Sequence, residues 1–253
     1  MIFFRRAAKA QQVEAQTARA PEGVRIYAIG DVHGRADLLA QLAQIISDDL
    51  ARSPVERVIT VFLGDYVDRG PGSAAVLERL AAADFPTAIA TLRGNHEATM
   101  LQFLQDPDVL ENWRQYGGLE TLASYGVNVR EIMRGRGFDA AREALWQAMP
   151  KAHHDFLNGT LMSWSAGDYF FAHAGVKPHV PLETQDERDL LWIRDEFLSF
   201  RGSFDGKVVV HGHTPMDAPE LLANRINVDT GAYATGVLTC VALDGAERRI
   251  LST

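Results

Sequence analysis

Five short patches along the chain set Asp, Asn or His beside glycine: Gly30-Asp31-Val32-His33-Gly34, Gly64-Asp65-Tyr66-Val67-Asp68-Arg69-Gly70, Gly94-Asn95-His96-Glu97, His173-Ala174-Gly175 and Gly212-His213-Thr214. Most come directly after an apolar, β-prone run. A strand that ends in this way hands polar side chains to a tight loop, where glycine supplies the backbone freedom. Any one patch alone is an ordinary turn. Together they demand a fold that brings several strand ends to one place.

The periodicity between the patches supplies such a fold. Residues 24–29, 57–63 and 87–92 read as strands, each feeding a patch. Residues 36–50 carry Leu38, Leu39, Leu42, Ile45, Ile46 and Leu50 at helical spacing, and 73–83 read as a second helix with Pro71 just ahead of it. Strand, loop and helix repeated three times predict an α/β sheet with helices on its faces and polar residues at the carboxyl ends of the strands. The texture turns helical from 97 to 157, broken by Gly117-Gly118, Gly126 and Gly135-Arg136-Gly137, and is expected to be a helical insertion or cap beside the site. Hairpins are expected over 161–164 with 169–172, and over 237–243 with 248–251 about Asp244-Gly245; 208–210 is one more strand. Two stacked sheets with helices outside are the expected outcome. Residues 1–20, rich in Ala and Gln, are set apart as an N-terminal extension, and 21–253 as one domain.

The chain has 253 residues and 47% hydrophobic composition, enough for a full core. A formal charge of −8 argues against nucleic acid as the main partner. No apolar run reaches the roughly 18–20 residues needed to span a bilayer, so no stable membrane insertion is expected. The N-terminus lacks the continuous apolar core of a signal peptide. The one cysteine, Cys240, sits in an apolar run and is expected to be a buried strand residue, which suits a reducing compartment such as the cytoplasm.

The patches carry enough oxygen and nitrogen donors for two metal ions. Asp31, His33 and Asp65 can hold one; Asp65, Asn95, His173 and His213 can hold a second, with the Asp65 carboxylate bridging. A mixed N and O set without thiolate favours Mn²⁺, with Fe or Zn²⁺ as alternatives, over Ca²⁺ or Mg²⁺. Two such ions lower the pKa of a shared water, so in-line attack at phosphorus needs no covalent intermediate. Arg69 can present a planar fork to phosphate oxygens. His96 can protonate a leaving alkoxide, oriented by Asp68.

The same residues resemble the phosphoprotein phosphatase family of calcineurin-like metallophosphoesterases, whose pattern is GDxHG, GDxxDRG, GNHE, HAG or HGG, then a late GH. The stretch Tyr116-Gly117-Gly118-Leu119-Glu120-Thr121-Leu122-Ala123-Ser124-Tyr125-Gly126, the segment Leu190-Leu191-Trp192-Ile193-Arg194 and Asn227-Val228-Asp229-Thr230-Gly231-Ala232-Tyr233 resemble its bacterial branch. The resemblance implies a four-layer α-β-β-α sandwich of two mixed sheets. It implies the same metal assignment, with phosphate bound by Arg69, Asn95 and a late arginine, for which Arg194 is the candidate. It places the family's late ligand at His213; His211 is read as lying behind the ligands or facing substrate. His153, His154 and His179 are read as structural or surface residues.

The resemblance implies a phosphomonoesterase acting on phosphoserine or phosphothreonine in proteins or peptides, with phosphotyrosine a further candidate. The alternative is a dinucleoside polyphosphate hydrolase, of which diadenosine tetraphosphate is the type substrate. Those enzymes often carry Gln at the position of His33, which favours the monoesterase. A catalytically dead scaffold is the other class; every ligand position and the His96–Asp68 pair are intact, which argues against it. Oligomeric state has no signature in the sequence.

Overall fold

The computed structural model describes residues 18–253. Most of the expected N-terminal extension lies outside the described residues; its last three, Ala18 to Ala20, pack on the protein, with both alanines buried in an apolar core. Among the described residues the strands are β1 (Val24–Ile29), β2 (Arg57–Phe62), β3 (Ala88–Thr91), β4 (Ser163–Ala166), β5 (Tyr169–Ala172), β6 (Val208–His211), β7 (Glu220–Leu221), β8 (Arg225–Asn227), β9 (Thr239–Asp244) and β10 (Glu247–Ser252). The α-helices are α1 (Ala36–Arg52), α2 (Ser73–Ala81), α3 (Asn95–Gln105), α4 (Leu110–Trp113), α5 (Gly118–Ser124), α6 (Phe138–Ala148), α7 (Lys151–Gly159), α8 (Glu187–Trp192), α9 (Asp195–Ser199) and α10 (Ala232–Thr235).

The strands form two five-stranded sheets, ordered β10-β9-β1-β2-β3 and β4-β5-β6-β8-β7. Both are mixed. In the first, β1, β2 and β3 run parallel while β9 and β10 are antiparallel. In the second, β5, β6 and β8 run parallel and the edges are antiparallel.

Three apolar cores show how the layers stack. Strand side chains alternate in direction, so one strand feeds two cores. Ile26 and Ala28 of β1 point into a core shared with Tyr169, Phe171, Val208, Val210 and Ile226 of the second sheet, which places the two sheets face to face. Tyr27 and Ile29 point the other way, onto Leu39 and Leu42 of α1 and Val76 and Leu77 of α2. On the outer side of the second sheet, Phe170, Ala172 and Val209 meet Leu190 of α8 and Phe197 of α9. This is the four-layer α-β-β-α sandwich.

Three details depart from the sequence expectations. The β4 strand begins two residues later than expected, because Leu161 pairs with Leu92 of the first sheet's loop and not with β5. Strands β7 and β8 were not anticipated: they are two and three residues long and half polar, too short for a period-2 pattern. Residues 97–157 form more than a cap. Met100, Phe103, Leu110, Trp113, Leu122 and Leu145 complete the outer core of the first sheet.

Candidate metal centre and phosphate pocket

All six residues expected to ligate metal lie at the carboxyl ends of strands β1, β2, β3, β5 and β6, and all are buried. The loops are tight and left-handed. Of the eight non-glycine residues with positive φ among the described residues, five are His33, Asp65, Asp68, Arg69 and His213. Such backbone costs roughly 1–3 kcal/mol per residue, and persists only where surrounding contacts enforce it. The glycines beside them are required by close approach: a Cβ on Gly94 would collide with Asp65, and one on Gly212 with Asp31.

Asp65 sits at the centre. Its Oδ2 is 3.5 Å from His33 Nε2, and its Oδ1 is 3.4 Å from His173 Nε2. The two oxygens thus face two separate groups. Asp31 lies 4.0 Å from His33 Nε2 and accepts hydrogen bonds from the His213 backbone N–H. On the second side, Asn95 Oδ1 is 2.9 Å from both His173 Nε2 and His213 Nδ1. The donor atoms of Asp65, His173 and His213 fall within 4.8 Å of one another, as do those of His33, Asp65 and His96.

The donor chemistry fits divalent cations. Backbone carbonyls fix two of the tautomers: His33 Nδ1 bonds to Val67 O at 2.8 Å and His173 Nδ1 to Leu63 O at 2.9 Å. Each then presents an Nε2 lone pair inward. Burial pushes His33 down to about 3 and His213 down to about 2, and lowers His173 as well, so these imidazoles are neutral as metal binding requires. Asp65 stays ionised: burial opposes its charge, but the imidazoles around it, of which His96 carries a positive charge, hold it below the usual carboxylate range. The result is acceptors facing acceptors, an arrangement a cation relieves. His213 Nε2 is buried with no hydrogen-bond partner among the described residues.

The catalytic candidates lie next to this cluster. His96 Nδ1 is 2.6 Å from Asp68 Oδ2, and its Nε2 is 3.3 Å from the Arg69 guanidinium and 3.8 Å from Asp65 Oδ2. Burial disfavours the imidazolium, but Asp65 and Asp68 prevail and raise His96 to about 9. Arg69 and Arg194 both line one cavity of about 130 Å³, together with Asp65, Asn95, His96 and His213. Arg194 is held by a 3.2 Å bond to Thr214 Oγ1. His211 is elsewhere. It is fully buried on the outer face of β6, packed edge-on against Phe197, and does not line the cavity. His153 bonds Tyr125 and Glu78 in the helical layer, a structural role.

The sequence reading assigns several supporting partners no role. Glu97 is fully buried and accepts from the backbone N–H groups of Asp65, Tyr66, Val67 and Gly94, stitching the second and third loops together. Its place three residues after Gly94, as the N3 acid of α3, was the available clue. Asp68 is gripped by Trp113 Nε1 at 2.7 Å and Thr121 Oγ1 at 2.6 Å. Asp229 is buried beside Asp31; burial, with the charge of Asp65, raises it to about 6, and Asp229 in turn adds to the burial that raises Asp31.

Comparison with known proteins bears on the same residues. The chain is 27% identical over 229 residues to the bis(5'-nucleosyl)-tetraphosphatase PrpE [asymmetrical] of Bacillus subtilis, covering 83% of this chain and 87% of that protein. It is also 27% identical over 229 residues to serine/threonine-protein phosphatase 2 of Escherichia coli, covering 85% and 90%. Among solved structures, that of a candidate diadenosine tetraphosphatase superposes with a TM-score of 0.64 at 19% identity, over 93% of this chain and 97% of the other. The profile described as calcineurin-like phosphoesterase matches residues 24–236, spanning every strand end that carries a polar patch, and on that ground the chain belongs to the calcineurin-like phosphoesterase family.

Proposed function

We propose that the protein is a two-metal phosphomonoesterase that removes phosphate from phosphoserine or phosphothreonine in proteins or peptides, with phosphotyrosine a further substrate. Family membership makes it a metal-dependent phosphoester hydrolase; the substrate class is the step added here. Asp31, His33 and Asp65 would hold one divalent ion and Asp65, Asn95, His173 and His213 the other, with Mn²⁺ the favoured metal and Fe or Zn²⁺ as alternatives. When bound, such a pair polarises phosphoryl oxygens and brings a water's pKa near neutrality.

The protein's own groups do the remainder. Arg69, Arg194 and Asn95 converge on one cavity and can hold the phosphoryl oxygens there. His96 would carry the acid proton on Nε2, which lies 3.3 Å from the Arg69 guanidinium, where a leaving oxygen would emerge. Asp68 fixes the ring and its charge, and is itself immobilised by Trp113 and Thr121.

The observation that carries the monoester reading is this His96–Asp68 pair. A serine or threonine alkoxide is a poor leaving group and needs a proton; a nucleotide leaves as a stable anion and needs none. A second reading, hydrolysis of a dinucleoside tetraphosphate, has its own support. Tyr116 and Trp192 are exposed aromatics on the wall of the phosphate cavity, suited to stacking on a nucleobase, and overall similarity is equal for the two groups of relatives.

The test is an equimolar mixture of a phosphoserine peptide and diadenosine tetraphosphate offered to Mn²⁺-loaded enzyme, repeated with His96→Asn. Faster peptide turnover, falling roughly 10²–10⁴-fold in the variant while p-nitrophenyl phosphate falls much less, is the expected result. Faster nucleotide release, insensitive to His96→Asn, would overturn the monoester reading.

A further inference from the structure

Arg69 is held in an unusual way. Its residue lies in left-handed backbone, with φ of 67°, on the loop that also carries Asp65 and Asp68. Among the described residues its guanidinium pairs with no carboxylate. The guanidinium carbon instead lies 4.7 Å from the centroid of the Tyr233 ring. The same ring meets His33 edge-on at 5.5 Å. Tyr233 is 39% exposed, and it lines a second, open groove with Arg69, Gly70 and Pro71 next to the phosphate cavity.

A carboxylate partner would neutralise Arg69 and occupy the fork of donors that a phosphate needs. An aromatic face does neither: it attracts the cation from above and leaves open the in-plane N–H groups other than the one at His96 Nε2. The ring is itself well anchored. Gly231, with φ of 65°, starts the short α10 turn; its N–H donates to Asp229 Oδ1, and Arg35 donates to Ala232 O on the same turn.

We propose that Tyr233 is a positioning residue that holds the Arg69 guanidinium in its phosphate-facing pose through its ring face. The inference rests on the reading of Arg69 as a phosphate-binding residue, and its test separates the two. In the Mn²⁺-loaded enzyme, binding of inorganic phosphate is measured by calorimetry, and KM and kcat are measured for p-nitrophenyl phosphate. Tyr233→Leu is expected to weaken phosphate binding and raise KM by roughly 3–10-fold, with kcat changed less than about 2-fold. Tyr233→Phe, which keeps the ring face, restores tight binding. In an Arg69→Ala background, Tyr233→Leu has no further effect, because its action passes through the guanidinium. An equal loss in that background, or a Phe variant as weak as the Leu variant, would overturn the proposal while leaving Arg69's role intact. Phosphate binding that survives Arg69→Ala would overturn the role of Arg69 and the proposal with it.

Discussion

The two ends of strand β1 each bury a cluster of charge, and the clusters are built on opposite plans. At the amino end, Arg25, Tyr27, Asp49, Asp244 and Arg249 form a closed network. Arg249 grips both oxygens of Asp49 at 2.6 and 2.9 Å, Tyr27 donates to Asp49 at 2.6 Å, and Arg25 reaches Asp244 at 2.7 Å. Every acid there has a cation or hydroxyl, and Arg249 holds Asp49 at about 2 against the cost of burial. At the carboxyl end, six residues later, Asp31, His33, Asp65, Asn95, His173 and His213 present lone pairs to one another, and the nearest cationic side chains face the cavity instead. A buried cluster that satisfies itself is structural; one that supplies only acceptors is built to receive something.

Three measurements would break or sharpen that contrast. The largest effect is expected at the open cluster. Asp65→Asn removes the charge shared by both halves and should cut Mn²⁺-dependent phosphate release by on the order of 10³-fold. The melting temperature without metal should hardly move, because no ion pair with Arg or Lys is lost. A large loss of stability instead would make the open cluster structural too.

The closed cluster should behave in the opposite way. Asp49→Ala takes the shared acceptor from Tyr27, Arg249 and Arg25 and leaves the arginines Glu247 and Asp244 as carboxylate partners. The loss should therefore lie at or below the lower end of the about 3–5 kcal/mol typical of a broken buried pair, read as a lower denaturant midpoint. Activity per folded molecule should stay unchanged; a fall in kcat would show that the two ends of β1 are coupled. The sign with pH follows from the direction of the shift. The Asp49 contribution is full above its ordinary range and is lost as pH falls toward about 2.

The smallest effect concerns the pair that borders the open cluster. Asp65 and Asp68 hold His96 above the usual imidazole range, so its acid form is favoured at neutrality and turnover should fall on the basic side. Asp68→Asn removes one of the two charges that raise it, so the basic limb should move to lower pH, with a loss of roughly 10–100-fold at neutrality. A pH profile left in place would mean that Asp68 serves packing alone.

Much of this was readable in the chain because it is local. A β-run followed by Gly-Asp or Gly-His puts a polar side chain at a strand end whatever the rest of the fold does. The parallel strands before Asp31, Asp65 and Asn95 were therefore visible, as was the sharing of Asp65 between two donor groups. The N-terminal half fits this pattern best. The short β7 and β8 strands do not, since two or three residues carry no period.

The sequence by itself determined which residues gather at the strand ends and what chemistry their donor atoms can support. Only the tertiary structure decided how those residues are held. Trp113 and Thr121 reach Asp68 across 45 and 53 residues, on helices whose placement comes from burial against the first sheet. Glu97 binds four backbone N–H groups of two loops, and Tyr233 meets Arg69 only because α10 and the second loop fold to the same edge. The physical reason is range. Backbone pattern and turn chemistry act over a few residues, whereas a side chain's partner is chosen by the packing of whole layers.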